Sequence, residues 1–257
     1  MGTLRIRYLG GPTALLEYGD LRLLVDPTFD PPGEYPIGAR VLRKTAGALV
    51  GPDDVGAVDA VLLSHDQHPD NLDRGGREFL GRVPVVVSTP AAQERVGALG
   101  LSPWESTALG SVTVTAVPAR HGPPGSEPHT GPVTGFVLEG GPATLYVSGD
   151  NAALELVDEI ADRFPAIDVA LLFAGAARTP LMDGAPLTLT SEWAAAAAVR
   201  LAAPHVLPVH FEDWEHFSEG RATLSPAFAA AGIADRLRLL ERGEWWEAPG
   251  VLHRETA

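Results

Sequence analysis

The chain has 257 residues, 45% of them hydrophobic, which is enough for one large domain with a substantial core. Its 33 acidic and 19 basic residues give a net charge of −14, which disfavours nucleic acid as a partner. The sequence contains no cysteine, so disulfides and thiolate ligands are excluded and any metal ion must be held by nitrogen and oxygen.

The composition changes little along the chain, so we expect a single domain over residues 1–257. No apolar segment at the start has the length of a signal peptide, and no stretch approaches the length of a membrane span. These features favour a cytoplasmic protein that acts on a small-molecule substrate, with no nucleic acid and no membrane as partner. They leave homo-oligomer formation open.

The predicted elements begin as strands and continue as an alternation of strands and helices, which favours an α/β fold with sheets covered by helices. Residues 27–57 are rich in proline and glycine and are predicted to hold little regular structure. The predicted strands are 3–10, 13–19, 21–27, 59–65, 83–88, 112–120, 134–140, 144–150, 168–175, 205–210 and 237–243, and the predicted helices are 72–82, 89–100, 152–164, 191–203 and 225–236.

Five of the predicted strands end in a polar residue that can bind a metal ion. Ligands must converge on one point, and the loops beyond strand ends are where sites assemble in α/β folds. Imidazole and carboxylate without thiolate suit zinc, manganese or iron at a catalytic site with an open position. The five residues are Asp26, His65, His121, Asp150 and His210.

The stretch "HDQHPDN", residues 65–71, offers several further ligands. Strand alternation would turn Gln67 to the same side as His65 and His68 to the other side. The strand should end at residue 65, however, and Pro69 forces an irregular path directly afterwards. Because imidazole is a far better ligand than a primary amide, we predict that His68 joins His65 and that Gln67 does not ligate the metal.

The ordered set of motifs resembles the metallo-β-lactamase superfamily. That family has H-x-H-x-D-H after a strand, then a distant histidine, an aspartate and a final histidine; here "HDQHPDN", "ARHGP", "VSGDN" and "LPVHF" follow in that order. The opening "RYLGGPTALLEYGDLRLLVDPTFD" is similar to the first hairpins of the family, and the resemblance spans residues 4 to about 217. Within the superfamily, the chain looks like the branch of ascorbate-6-phosphate lactonase-like and N-acylphosphatidylethanolamine phospholipase D-like hydrolases.

The resemblance implies a four-layer αββα sandwich that binds one or two divalent ions, with zinc or manganese expected. Asn71 stands where the family has its last histidine, and an amide oxygen is a poorer ligand than imidazole, which puts the second metal position in question. By analogy, the first metal would be bound by His65, His68 and His121, and the second by Asp70 and His210, with Asp150 between them and Asp26 orienting a ligand histidine.

Several residues near these motifs have two interpretations each. His216 and Trp214 either line the pocket or belong to an ordinary amphipathic turn, and Asp26 either orients a ligand or belongs to an Asp-Pro turn. Arg120, next to a predicted ligand, either binds an anionic substrate group or pairs with a carboxylate. His205 and His253 are interpreted as having no role at the site.

The sequence therefore predicts a metal-dependent hydrolase in which a metal-bound hydroxide attacks a small-molecule lactone, ester or amide. Asp70 would be the catalytic residue, binding the metal or deprotonating the nucleophile. One alternative is a phosphodiesterase of the same fold. The other is a non-catalytic metal-binding or regulatory protein with a degenerate site, which the departures at Gln67 and Asn71 would support.

Overall fold

The structure is a computed structural model that describes residues 2–38 and 40–249. Two mixed β-sheets pack face to face in this part of the chain, and helices cover their outer faces. The predicted α/β class and four-layer αββα arrangement are therefore confirmed.

The first sheet is built on an antiparallel meander of its first three strands, which is joined by parallel strands on one side and by a late antiparallel strand on the other. The turn between the second and third strands uses Gly19 with φ +64°, a backbone conformation that favours glycine. Its strands are β1 (Leu4–Gly10), β2 (Thr13–Tyr18), β3 (Leu21–Val25), β6 (Ala60–Leu62), β7 (Val85–Ser88), β8 (Leu99–Gly100) and β15 (Trp245–Glu247), in the spatial order β15-β1-β2-β3-β6-β7-β8.

The second sheet is antiparallel at one side and parallel at the other. Every residue of its last three strands is buried, as expected for strands that are covered on both faces. Its strands are β9 (Ser106–Leu109), β10 (Val112–Pro118), β11 (Thr134–Glu139), β12 (Leu145–Val147), β13 (Val169–Phe173) and β14 (His205–Val209), in the spatial order β14-β13-β12-β11-β10-β9.

Neighbouring residues on one strand serve different parts of the core. On β2, Leu16 packs with Phe136 in the core between the sheets, whereas Leu15 packs with Phe79 and the helices on the outer face of the first sheet. This is the two-residue period of a strand with both faces buried.

Short helices connect the strands, and their ends follow ordinary capping chemistry. Thr89 accepts a hydrogen bond from the backbone N–H of Ala92, Pro90 occupies the first turn, and Gly97 ends the same helix with φ +69°. The helices are α1 (Pro52–Val55), α2 (Arg74–Leu80), α3 (Pro90–Val96), α4 (Glu127–Thr130), α5 (Leu154–Arg163), α6 (Ser191–Arg200) and α7 (Arg221–Ala230), with 3-10 turns at Pro180–Met182 and Ala234–Arg236.

The segment 27–57 contains more structure than the sequence predicted. It holds a separate hairpin of β4 (Gly33–Ile37) and β5 (Arg40–Lys44), as well as α1. At its base, Lys44 contacts Asp73 at 2.9 Å with both side chains buried. Lys44 also forms a β-bridge with Trp214, whose ring lies 5.3 Å from that of Tyr35. These contacts fix the hairpin against the body of the protein.

Three predicted elements differ from the structure. The helix expected to end at Gly100 ends at Val96, because Leu99 and Gly100 pair with β7. The helix expected at 225–236 begins at Arg221, where the backbone N–H of Gly220 donates to Thr223 Oγ1, and ends at Ala230. The strand expected at 237–243 is reduced to a single bridge to Val206, and Trp245–Glu247 pairs with β1 instead.

A candidate metal site at the common edge of the two sheets

The predicted ligands come from strand ends of both sheets. His65 lies three residues beyond β6, whereas His121, Asp150 and His210 follow β10, β12 and β14. The backbone at His210 has φ +57°, which is uncommon for a residue other than glycine, and its N–H donates to the carbonyl of Gly11 at 2.6 Å. The loops of both sheets thereby reach one point at their common edge.

The first group of donors contains three histidines and one aspartate. The ligand atoms of His65, His68, His121 and Asp150 all lie within 4.8 Å of one another, and all four residues are buried. His65 Nε2 is 2.9 Å from His68 Nδ1, and His121 Nε2 is 3.5 Å from Asp150 Oδ2. The carbonyl of Leu187 lies 2.8 Å from His121 Nδ1, so it fixes the ring by accepting a hydrogen bond from that N–H and leaves Nε2 free to bind a metal.

The second group contains Asp70, His210 and, again, Asp150, with ligand atoms within 4.8 Å of one another. His210 Nε2 is 3.4 Å from Asp70 Oδ2, and His210 Nδ1 is 3.5 Å from Asp150 Oδ1. Asp150 therefore uses one carboxylate oxygen toward each group. Asp150 is the residue that the two donor groups have in common.

A buried hydrogen-bond network supports the cluster from behind. Asp26 accepts from the backbone N–H of Ser64 at 2.6 Å and from its hydroxyl at 2.5 Å, and Ser64 Oγ is 3.0 Å from His65 Nδ1. Asn71 donates to Asp26 at 3.0 Å and to Asp150 at 3.3 Å. Asp26 thus reaches a candidate ligand histidine through Ser64, and Asn71 joins two buried carboxylates as a donor.

Electrostatics in the cluster match a cation-binding site. Burial, followed by the charge of neighbouring histidines, lowers the pKa of His65 well below its ordinary range and lowers the pKa of His121 to about 3. Burial also lowers the pKa of His68 and His210. These imidazoles are therefore neutral at physiological pH, the form that binds metals.

The two central carboxyl groups are affected in opposite directions. Burial, together with the charges of Asp70 and Asp26, raises the pKa of Asp150 well above its ordinary value. Burial alone would raise the pKa of Asp70 as well, but His216 and His210 lower it well below its ordinary range. Two buried carboxylates repel each other, and a divalent cation between them would remove that repulsion.

Several buried polar atoms of the cluster have no hydrogen-bond partner in the described part of the chain. They are Asp70 Oδ1, Asn71 Oδ1, Asp150 Oδ2, His216 Nδ1 and both ring nitrogens of His210. A buried polar atom without a partner is costly, and metal coordination is one way to satisfy it. Asp70, Asp150 and His210 are also the members of the second donor group, so the residues present fit such an ion.

The remaining predicted residues divide between the pocket and the surrounding structure. His216 lines the pocket, and its Nε2 is 3.0 Å from Asp70 Oδ2. Trp214 is buried behind it, with the two rings 6.2 Å apart. Gln67 turns away from the cluster, since it donates to the carbonyl of Pro132 at 3.1 Å.

Arg120 does not line this pocket, so the interpretation that it binds an anionic substrate group there is not supported. Its guanidinium contacts Glu155 at 2.6 Å, so the carboxylate-pairing alternative is the one observed. His205 is at the start of β14, at the end of the strand opposite His210, and packs on Trp246. His253 lies outside the described residues.

Several residues around the cluster could not be predicted from the sequence. Ser64 and the carbonyl of Leu187 contact ligand histidines, but a serine before a histidine and a distant backbone group give no distinctive pattern. Arg40 lines the pocket because the β4–β5 hairpin folds over it, and Thr179 lines the pocket from the loop between β13 and α6. His129, which the sequence places in a proline- and glycine-rich loop after His121, lies on α4 at the same mouth.

The chain matches a family model described as the β-lactamase superfamily domain over residues 21–211. It is 25% identical over 217 residues to a protein of Pyrococcus furiosus named as a UPF0173 metal-dependent hydrolase, which covers 82% of this chain and 85% of that protein. A protein of the same description from Roseobacter denitrificans is 27% identical over 241 residues, covering 90% of this chain and 96% of that protein.

Solved structures show the same fold. The crystal structure of an isothiocyanate hydrolase from Delia radicum gut bacteria superposes with a TM-score of 0.79 at 21% sequence identity, covering 96% of this chain and 99% of that one. Among the residues that the structure describes here, no helix has the length and apolar character needed to cross a membrane.

Proposed function

This chain belongs to the β-lactamase superfamily, and from that membership together with its buried cluster we propose that it is a metal-dependent hydrolase of small molecules. The observation that carries the proposal is Asp150, whose two oxygens are directed at two groups of donor atoms. The curated relatives are named as metal-dependent hydrolases, in agreement with this proposal.

We propose that the metal is zinc or manganese, because the donors are imidazole nitrogens and carboxylate oxygens without sulfur. His65, His68 and His121 would hold one ion, Asp70 and His210 a second, and Asp150 would contact both. Such ions polarise the oxygen of a scissile carbonyl and lower the pKa of water.

The protein's own groups would orient the reactants and move protons. Asp70 is suited to accept a proton from the attacking water, because His216 and His210 keep its carboxylate ionised. His216 lies in the pocket wall with its Nε2 3.0 Å from Asp70 Oδ2, where it would orient this carboxylate and stabilise its ionised form. Asp26 and Ser64 would hold the ring of His65 in one orientation.

We propose a lactone, ester or amide as the substrate bond. The pocket is small and its wall includes an apolar patch formed by Ile37, Leu42, Leu181, Met182 and Leu187, which suits an organic molecule better than a polymer. The protein's net charge of −14 also disfavours a polyanionic substrate such as a nucleic acid.

Metal content and turnover test this proposal together. Protein purified without chelators should retain zinc or manganese, and His121→Ala and His210→Ala should each lose most of it. His205→Ala is a matched control, because His205 lies at the other end of the strand that precedes His210. Equal metal content in the wild type and in both site variants would refute the site.

The metal-loaded protein should then be assayed on a panel of lactones, esters, amides and phosphodiesters. Turnover of a carbonyl substrate that is lost in Asp70→Asn supports the proposed hydrolase. Preferential turnover of phosphodiesters would indicate the alternative chemistry of the same fold. Retained metal without turnover of any member would contradict the enzyme and indicate a metal-binding protein.

A further inference from the structure

The pocket above the cluster has a polar floor and walls that combine an apolar patch with polar and cationic side chains. His68, Asp70 and His121 contribute to the floor. The apolar patch comes from the β4–β5 hairpin and from the loop that runs from residue 177 to residue 187, and it consists of Ile37, Leu42, Ala177, Leu181, Met182 and Leu187. The polar wall residues are Arg40, His129, Thr130, Arg178, Thr179 and His216.

Arg40 is a cation at the mouth of this pocket. Its Nη1 donates to Thr179 Oγ1 at 2.6 Å, which links the tip of the hairpin to the opposite wall. Among the described residues, no carboxylate lies within 4.0 Å of its guanidinium. Arg43, on the same strand, instead contacts Glu34 at 3.1 Å and Glu215 at 3.7 Å.

The absence of a carboxylate next to Arg40 is notable in a chain with 33 acidic and 19 basic residues. Arg178 lines the same mouth, and its guanidinium donates to Ser218 Oγ and to the carbonyl of Gly184. A guanidinium has five N–H donors in a planar fork, and Thr179 is the acceptor that occupies part of the fork of Arg40. The remaining donors can bind a planar oxyanion through two parallel hydrogen bonds.

The position of Arg40 is fixed at both ends of the hairpin. At the base, Lys44 contacts Asp73, and the backbone N–H of Glu215 donates to the carbonyl of Arg43 at 3.0 Å. At the tip, Thr179 accepts from Arg40 itself. A cation held in this way is preorganised for a ligand, which reduces the entropic cost of binding.

We propose that the pocket binds an organic substrate with an apolar body and one carboxylate group, and that Arg40 binds this carboxylate while the scissile bond lies at the histidine–aspartate cluster. This inference rests on the proposed hydrolase function and adds the substrate class to it. The planar fork matches both a carboxylate and a phosphate. A carboxylate is favoured because it brings a single negative charge into a protein that is already strongly acidic, whereas a phosphate brings more.

The first test compares two esters of equal chain length on the metal-loaded enzyme. They are 4-nitrophenyl pentanoate, which ends in a methyl group, and the 4-nitrophenyl monoester of glutaric acid, which ends in a carboxylate. In Arg40→Met, the ratio of kcat/KM for the anionic ester to kcat/KM for the neutral ester should fall about tenfold to a hundredfold. In the control Arg43→Met, the ratio should equal that of the wild type. Equal ratios in the wild type and Arg40→Met would overturn the proposal.

The second test measures binding by calorimetry and does not require turnover. The probes for the metal-loaded protein are 3-phenylpropanoate, its neutral amide, and 2-phenylethyl phosphate. Arg40→Met should weaken binding of 3-phenylpropanoate about tenfold to a hundredfold, with a smaller effect on the amide. Equal affinity in the wild type and the variant would mean that the carboxylate binds elsewhere, for example on the metal. A larger loss for the phosphate than for the carboxylate would overturn the assigned class.

The two tests separate the site from the activity. If binding of 3-phenylpropanoate depends on Arg40 but the protein hydrolyses neither ester nor any member of the wider panel, the anion site is supported and the hydrolase function is refuted. Hydrolysis of both esters without dependence on Arg40 would retain the hydrolase and refute the anion site.

Discussion

Lys44 is the only lysine of the chain, and we expect its replacement by methionine to destabilise the protein strongly. The ammonium group contacts Asp73 Oδ2 at 2.9 Å, and the side chains are 2% and 0% exposed. Methionine preserves the length of the apolar stem and removes the charge. The variant would therefore leave the carboxylate of Asp73 buried without its cation.

The expected magnitude follows from the other contacts of Asp73. Removing one partner of a buried ion pair costs about 3–5 kcal/mol. Asp73 would still accept hydrogen bonds from the backbone N–H groups of Phe29, Asp30 and Gly76, at 2.9, 2.7 and 2.8 Å, so the lower end applies. For a chain of this size, about 3 kcal/mol corresponds to a decrease in Tm of about 6–12 °C.

Differential scanning calorimetry of the metal-loaded protein would measure this decrease. Arg43→Met is the matched control, because its ion pairs are exposed and worth less than about 1 kcal/mol. The double variant Lys44→Met/Asp73→Asn should recover part of the loss, since no charge then remains buried. A Tm for Lys44→Met within about 2 °C of the wild type would refute the reasoning.

Three further predictions concern the cluster and its surroundings. Asp150→Asn should lower metal content and turnover more than any single histidine substitution, because Asp150 is shared by both donor groups; metal analysis and kinetics would check this, and near-normal values would exclude Asp150 from the site. His68→Ala should lose metal, whereas Gln67→Ala should keep it, because the Gln67 side chain is hydrogen-bonded to Pro132 and not directed at the donors. Loss of metal in Gln67→Ala but not in His68→Ala would mean that residue 67 binds the metal beside His65, as strand alternation alone would place it. Burial raises the pKa of Asp213 to about 6, so the folded state binds its proton more tightly than the unfolded state and stability falls as pH rises from about 4 to 6. In Asp213→Asn, this decrease in the free energy of unfolding should disappear, which denaturant titrations at several pH values would measure. An unchanged pH profile would contradict the raised pKa of Asp213.

The fold was largely predictable because its signals are local. Apolar strands such as 205–210 and 168–175 are short, continuous and bounded by turn residues, and the ordered motifs carry the family resemblance. The boundary of α3 was less predictable, because "VGALG" contains two glycines that could end a helix. Pairing of Leu99 with β7, a tertiary contact, decided in favour of Gly97.

Residues contributed to the pocket from a distance could not be predicted. The strand-end histidines were identifiable because they share a position relative to their strands. Arg40, by contrast, belongs to a hairpin in a segment without clear periodicity, and its relation to Thr179 depends on how that hairpin folds back. Arg120 shows the converse: its neighbour in the sequence is a candidate ligand, yet its side chain points to Glu155. Adjacency in sequence did not give the direction of a side chain.

The distribution of the donors over both sheets links metal loading to conformational opening. His65 and His68 follow a strand of the first sheet, whereas His121, Asp150 and His210 follow strands of the second. An ion bound by both sets would stabilise only those states in which the two sheets remain packed together. The stabilisation free energy would grow with the ratio of the ion concentration to Kd. Amide hydrogen exchange in the two sheets should therefore slow in parallel when the ion is added, and local fraying that leaves the sheets packed should not respond.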